Sequence, residues 1–366
     1  MKIGIDIRST LKRRTGIGYY TANLIYYLGL ADKLNQYYLY SEIALFNRNK
    51  KLPELPGNNF KHIINRFKLD PAFILKGLDI FHTSSYDLTL PKNTKLVLVI
   101  QDVIHKAYPA GHTAQTVREV ELKLVPALTR ADKIIVSSLA TKNDLLKFYQ
   151  VSPDKVRLVY PGVNEDLFLM PDISEIAKQE LKERFKINSP FILYVGTLEP
   201  RKNVEGLVKA YKLLKDYSEL NYQLVIVGMK GWLYDKIFNL VDEYKMRDDV
   251  IFTDYLSRQD LKAVYQAASV FVYPSFYEGV GLPVLEAFKS KVPVVASNSS
   301  SVGEIASSAA LLVDPYKPEE IAEAIFKILE DNELGRELID KGLNRAKDFS
   351  WDAAVRDTLE VFNEFA

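Results

Sequence analysis

Residues 270–287 read VFVYPSFYEGVGLPVLEA, and this stretch decides the fold. VFVYPS has the length and β-branched content of a buried strand. Leu282–Pro283 then opens a helix, with proline in the first turn where its missing N–H costs nothing. Between them FYEGVG supplies glycines that let backbone approach a ligand and aim free N–H groups at it. Strand, glycine-rich loop and helix in succession form the repeating unit of a doubly wound parallel sheet, which binds ligands beyond the carboxyl ends of its strands. Two glutamates, Glu278 and Glu286, stand on either side of the turn.

The same alternation runs outward in both directions. Downstream lie VPVVAS (292–297) and ALLVDP (310–315); upstream lie FILYVGTL (191–198), YQLVIVGM (222–229) and VIFTDYL (250–256). In the first half MKIGIDI (1–7), KLVLVIQDV (95–103), KIIVSS (133–138) and VRLVYPG (156–162) alternate with helical patterns at 17–30, 114–130 and 140–149. Ser257 with Asp260 resembles a capping box at the start of a further helix. Near-continuous apolar strands separated by helices mean parallel sheets covered on both faces. The fold class is therefore α/β, two Rossmann-like domains facing a cleft that holds a ligand. Expected boundaries are 1–165 for the first domain, 166–189 for a polar linker interrupted by Pro171, 190–348 for the second domain, and 349–366 for a helix that could pack back on the first, a point the sequence does not decide.

Residues with chemistry follow the strands. In YVGTLEPRKN (194–203) the strand ends at Gly196–Thr197, and Arg201 and Lys202 come just before a helix begins near Asn203. Adjacent cations near a helix N-terminus make a site for a diphosphate, Arg gripping two oxygens and Lys supplying a compact charge. Alone, such a pair is more often a solvated surface pair; its place after a Gly-ended strand favours the site. Glu286, about one turn into its helix, suits the vicinal hydroxyls of a ribose. Glu278 suits hydroxyls beyond the phosphates, and the layout fits a sugar nucleotide. Gly16 and Gly18 form a Gly-x-Gly turn, but Thr21 replaces the third glycine and the turn comes late after the strand, which disfavours a dinucleotide cofactor. It reads equally as a flexible loop beside a transferred sugar. There is no Asp-x-Asp, and the histidines at 62, 82, 105 and 112 lack metal spacing, so no metal and no cofactor is expected.

Bulk properties narrow the setting. A chain of 366 residues, 48% hydrophobic and 26% charged, fits two ordinary domains. It has no cysteine, and MKIGIDIRST turns polar within eight residues, so a cytoplasmic protein without a leader is expected. The net charge of +1 conceals an asymmetry: residues 1–150 hold about 22 Lys+Arg against about 12 Asp+Glu. Either two solvated surfaces happen to differ, or the first half meets something anionic, such as a membrane surface. Scattered basic residues argue against nucleic acid.

TGIGYYTANL, YPGVN (160–164), GTLEPRKN, YEGVGLPVLEAF and SSSVGEIASSAALLVDP (299–315) occur in an order that resembles the retaining glycosyltransferases of family 4, which have the GT-B fold. The resemblance implies a metal-independent hexosyltransferase. Arg201 and Lys202 would hold the donor diphosphate and stabilise the departing nucleotide, Glu286 would bind the ribose, and Glu278 the transferred sugar. Gly196, Gly279, Val280, Gly281 and Leu282 would line the donor, with Gly16 and Gly18 bordering the diphosphate from the other domain. Relatives carry His-Asp where this chain has Gln101–Asp102. Asp102 is then expected as a catalytic contact to acceptor or sugar, and Gln101 inherits the histidine's bond to the sugar unless His105 reaches in; His105 reads first as an ordinary loop histidine. Val280 stands where phenylalanine is frequent. GIDIRST…TGIGYYT resembles the mannosyltransferase branch that builds surface polysaccharides, making GDP-mannose the expected donor. A glycan or lipid-linked acceptor at the inner membrane face would complete the reaction. A sugar-nucleotide epimerase of the same fold and a non-catalytic nucleotide-sugar binding protein are the alternatives.

Overall fold

The computed structural model describes residues 1–11, 16–43, 52–111, 113–163 and 172–366. Asn164, His112 and residues 166–171 of the expected linker, Pro171 among them, lie outside the described residues. The chain divides into two compact units, Met1–Gly162 with Phe349–Ala366, and Val163–Asp348. Both are parallel α/β units.

In the first unit the strands are β1 (Lys2–Asp6), β2 (Gln36–Ser41), β3 (Phe60–Ile64), β4 (Ile80–Thr83), β5 (Lys95–Ile100), β6 (Lys133–Val136) and β7 (Val156–Leu158). They lie in the order β3-β2-β1-β4-β5-β6-β7, and every pair is parallel. The second unit has β8 (Phe191–Val195), β9 (Gln223–Val227), β10 (Val250–Phe252), β11 (Val270–Tyr273), β12 (Val294–Ser297) and β13 (Leu311–Val313), ordered β10-β9-β8-β11-β12-β13. The strand order reverses between β1 and β4 in one sheet and between β8 and β11 in the other. Such a reversal sends neighbouring connections to opposite faces and opens a crevice at the carboxyl ends of those two strands.

β2, β3 and β4 lie in a region where the sequence patterns pointed to no strand. Tyr, Gln and Ser in β2, and His62 and His82 in β3 and β4, break the apolar runs that mark the other strands. Several anticipated strands are shorter than their apolar runs: residues 196–198 after β8 and 274–275 after β11 already belong to the loops that carry the candidate site residues.

The helix Trp351–Asn363 packs on the helix Gly16–Ala31, with the Trp351 ring 5.8 Å from Tyr20 and 6.2 Å from Tyr27. Ser350 caps it by accepting from the Ala353 N–H. Gly162 is required where this helix begins: a Cβ there would lie 2.4 Å from the Trp351 nitrogen. Arg157 donates to Glu364 at 2.8 Å and closes the far end. Among the described residues no helix is long and apolar enough to cross a membrane.

Candidate active site

The loops after β8 and β11 meet at the reversal point of the second sheet. After β8 the chain makes a short turn, Pro200–Lys202, and Asn203 in left-handed conformation (φ 56°) caps the helix Val204–Tyr217. The Asn203 amide donates to the carbonyls of Pro274 and Pro315, at 3.1 and 2.6 Å. One buried side chain thus ties the β8 loop to the loops after β11 and β13. After β11, Gly281 has φ 93° and starts the helix Leu282–Lys289. That backbone is one a side chain rarely adopts, so glycine is needed for the chain to turn from loop into helix. Ser299, Ser300 and Ser301 pin the loop from beneath. Ser299 donates to the Phe276 carbonyl (2.9 Å), Ser300 accepts from the Glu278 N–H (2.9 Å), and Ser301 donates to the Glu278 carbonyl (2.8 Å).

These ties bring three predicted residues into one cluster. Arg201 donates to Glu278 Oε2 at 2.7 Å, and Lys202 Nζ donates to Glu278 Oε1 at 2.6 Å. Lys202 also donates to the Tyr273 hydroxyl (2.8 Å), which in turn donates to Glu278 Oε1 (3.0 Å). Arg201 is further held by the Tyr277 carbonyl at 2.9 Å, and its other terminal nitrogen pairs with Glu199. Glu278 is 6% exposed. Burial works against its ionisation, but Lys202 and Arg201 prevail and bring its pKa down to about 2. Glu199 and Tyr273 were not singled out in the sequence. Nothing in the spacing marks Tyr273, which reads as a strand's core aromatic, whereas an acidic residue two places before an arginine was available as a signal.

Glu286, on the neighbouring helix, has different company. Tyr265 donates to its Oε2 at 3.1 Å, and burial pushes its pKa up to about 7 against that hydrogen bond. Tyr265 lies in the helix Arg258–Ala267, whose start carries the Ser257–Asp260 cap that the sequence indicated. Gly279 and Val280 are half-buried in the loop, and Leu282 is the first residue of the helix. Gly196 directly follows β8, its N–H donating to the Val227 carbonyl.

The remaining predicted residues belong to the first unit. Gly16 and Gly18 do not form a turn or flexible loop: they are the first and third residues of the helix Gly16–Ala31. Helical periodicity in YYTANLIYYLGLA extends backward through them, and in the first turn their N–H groups need no intrahelical acceptor. The Gln101 side-chain oxygen lies 4.0 Å from where a Cβ on Gly16 would sit. Asp102 accepts from the Ile104 N–H at 3.1 Å. His105 sits in the short helix Ile104–Ala107 and not in a loop; its ring is buried, with Nε2 2.8 Å from both Glu121 and the Tyr149 hydroxyl. Among the described residues no group of three or more His, Asp or Glu could hold a metal ion.

The second unit thus gathers cations and carboxylates at its reversal point, where doubly wound sheets bind ligands. Residues 176–345 match the family described as glycosyl transferases group 1, and residues 31–167 match glycosyltransferase family 4, so the chain belongs to the GT-B glycosyltransferases that these two families describe. It is 27% identical to O-antigen chain mannosyltransferase B of Escherichia coli, over 95% of this chain and 96% of that protein. It is 29% identical to the serotype-specific mannosyltransferase WbdA of Escherichia coli over 77% of this chain, a stretch that makes up 35% of that longer protein. Among solved structures, sucrose-phosphate synthase from Thermosynechococcus elongatus superposes with a TM-score of 0.77 at 22% identity, covering 99% of this chain and 98% of that one. HepE of Anabaena, in complex with UDP and glucose, gives 0.75 at 16% identity with full coverage of both chains. At these identities the two structures speak to the fold alone.

Proposed function

We propose that this protein transfers mannose from GDP-mannose to a hydroxyl of a glycan or lipid-linked acceptor, with retention and without a metal ion. The observation that carries the reading is the fixing of Arg201 and Lys202 on one buried carboxylate, Glu278, at the reversal point after β8 and β11, with Glu286 about one turn into the helix that follows. Mannose is supported by the names of two relatives, one matching over 95% and the other over 77% of this chain.

In this reading Arg201 and Lys202 exchange Glu278 for the donor diphosphate. The freed Glu278 then accepts hydroxyl hydrogen bonds from the sugar, beside the backbone of Gly279, Val280 and Gly281. Glu286 accepts the ribose hydroxyls. As the bond from C1 to the phosphate oxygen breaks, negative charge grows on that oxygen and the two cations stabilise it. The acceptor hydroxyl attacks C1 from the face the diphosphate is leaving and gives its proton to a departing phosphate oxygen. Gln101, with Gly16 beside it, and Asp102 are the proposed acceptor or sugar contacts of the first unit.

Calorimetric titration of GDP-mannose, GDP, UDP-glucose and UDP-N-acetylglucosamine, in EDTA, tests this. Guanine nucleotides should bind, and Glu286→Ala should lose that binding at least tenfold. Lys202→Ala should lower kcat by roughly 10²–10³ with a smaller effect on donor binding. Uridine nucleotides binding in place of guanine would overturn the donor, and an undisturbed Glu286→Ala would overturn the ribose assignment.

The acceptor's setting is part of the same proposal. Phe67 (70% exposed), Leu69 (50%) and Phe73 (76%) project among Arg66, Lys68 and Lys76, in the basic half of the chain. Apolar side chains flanked by basic ones suit an anionic membrane surface. Cosedimentation with anionic vesicles at low salt should occur and should fail for Phe67→Ser with Phe73→Ser. A wild type that stays in the supernatant removes this part.

A further inference from the structure

The cluster at Arg201 holds a carboxylate that the proposed chemistry does not use. Glu199 occupies the N-cap position of the turn Pro200–Lys202, yet its side chain makes no capping hydrogen bond. Glutamate is not among the side chains that ordinarily cap a helix start, so its place there leaves the carboxylate free for another partner. Glu199 instead pairs with the terminal nitrogen of Arg201 that faces away from Glu278. Its side chain is 17% exposed, so the charge is only partly screened.

The formal charge of the cluster follows. Arg201 and Lys202 bring two positive charges, and Glu199 and Glu278 bring two negative ones. The site proposed for a diphosphate is therefore neutral when empty. A nucleotide sugar carries two negative charges across its diphosphate, and the nucleoside diphosphate left after transfer carries a further one above about pH 6. A fixed negative charge beside Arg201 repels the product more strongly than the donor.

We infer that Glu199 is a counter-charge that weakens the hold of Arg201 on diphosphate and so favours departure of the nucleotide product. The inference rests on the diphosphate reading of Arg201 and Lys202. Glu278 can swing to the sugar as the donor enters, but Glu199 makes no sugar contact in this scheme and stays on Arg201. It sets how much of that cation's charge the phosphates feel. Glu199 is thus an affinity-setting residue, and it acts through Arg201 without touching the reacting atoms.

Calorimetry with inorganic pyrophosphate and with GDP, in EDTA at pH 7.5, tests this on the whole protein. Glu199→Gln keeps the side chain's shape and an acceptor for Arg201 while removing the charge; Glu199→Ala removes both. Each should bind pyrophosphate about tenfold more tightly than wild type at low salt, with the gain shrinking as salt is raised. Damage to the site would weaken binding, so the direction of change separates a counter-charge from a prop. Equal or weaker binding by both variants overturns the inference and makes Glu199 a support that aims Arg201. Arg201→Ala guards the premise. If it binds pyrophosphate as wild type does, the diphosphate reading and this inference fall together. If it loses binding while the Glu199 variants match wild type, only the inference falls.

Discussion

Glu278 and Glu286 stand eight residues apart on the two sides of Gly281, and the protein treats them in opposite ways. Glu278 is held by two cations and a tyrosine hydroxyl, which keep it ionised down to about pH 2. Glu286 has one described neutral partner, Tyr265, and burial raises its pKa to about 7. The difference comes from where each side chain is mounted. The loop before Gly281 faces the basic turn after β8, whereas the helix after it faces the helix Arg258–Ala267. Two identical side chains thereby become a fixed anion locked in a salt-bridge cluster and a carboxyl poised to change charge near neutrality. Sequence spacing alone describes them as a symmetric pair.

The strongest way to break this contrast is to neutralise Glu278. Glu278→Gln leaves Arg201 and Lys202 short of a buried counter-charge, and breaking a buried pair from one side is costly. We expect a loss of about 2–4 kcal/mol at pH 7, measured by urea denaturation. The sign follows from the depressed pKa. Stabilisation is fully present above the unfolded value of about 4.3 and is lost as pH falls through the folded value. The gap between variant and wild type should therefore narrow below pH 4 and close near pH 2. Equal stability at pH 7 would mean that the ion pairs contribute nothing net, and the contrast with Glu286 would lose its energetic basis.

How far the sequence carried this contrast depends on the type of residue. The strands of the second unit were legible because buried parallel strands are continuous apolar runs, as in Phe191–Val195 and Val270–Tyr273. β2 and β4 were not, since Tyr, Gln, Ser and His interrupt the run and only pairing with β1 makes them strands. Arg201, Lys202, Glu278 and Glu286 were legible from the strand–loop–helix pattern that presents them. Their neighbours were not. Tyr273 and Tyr265 look like core aromatics, and their hydroxyls acquire partners only when β8 and β11 lie side by side and the start of the Glu286 helix comes within hydrogen-bond reach of Tyr265. The Ser299–Ser301 run was visible as a motif, but its task of pinning the Glu278 backbone depends on β12 lying beside β11.

An effect of opposite sign sharpens the contrast from the other side. Glu286 has a raised folded pKa, so between about pH 4.3 and 7 the unfolded chain ionises this group while the native state keeps its proton. Native stability contributed by the proton is full below the unfolded value, declines across that window, and is gone above pH 7. Glu286→Gln carries no such penalty. It should therefore match wild type near pH 4.5 and be more stable by about 3 kcal/mol at pH 8, read from melting curves across the range. Tyr265→Phe should act in the opposite direction and more weakly. Without the hydroxyl that stabilises the anion, the pKa of Glu286 should rise further, and the decline in stability should extend above pH 7. A gap between Glu286→Gln and wild type that stays constant with pH would show that Glu286 is ionised throughout. The two glutamates would then differ in their partners alone, and the ribose would meet a permanent anion instead of one that fades as pH falls below 7.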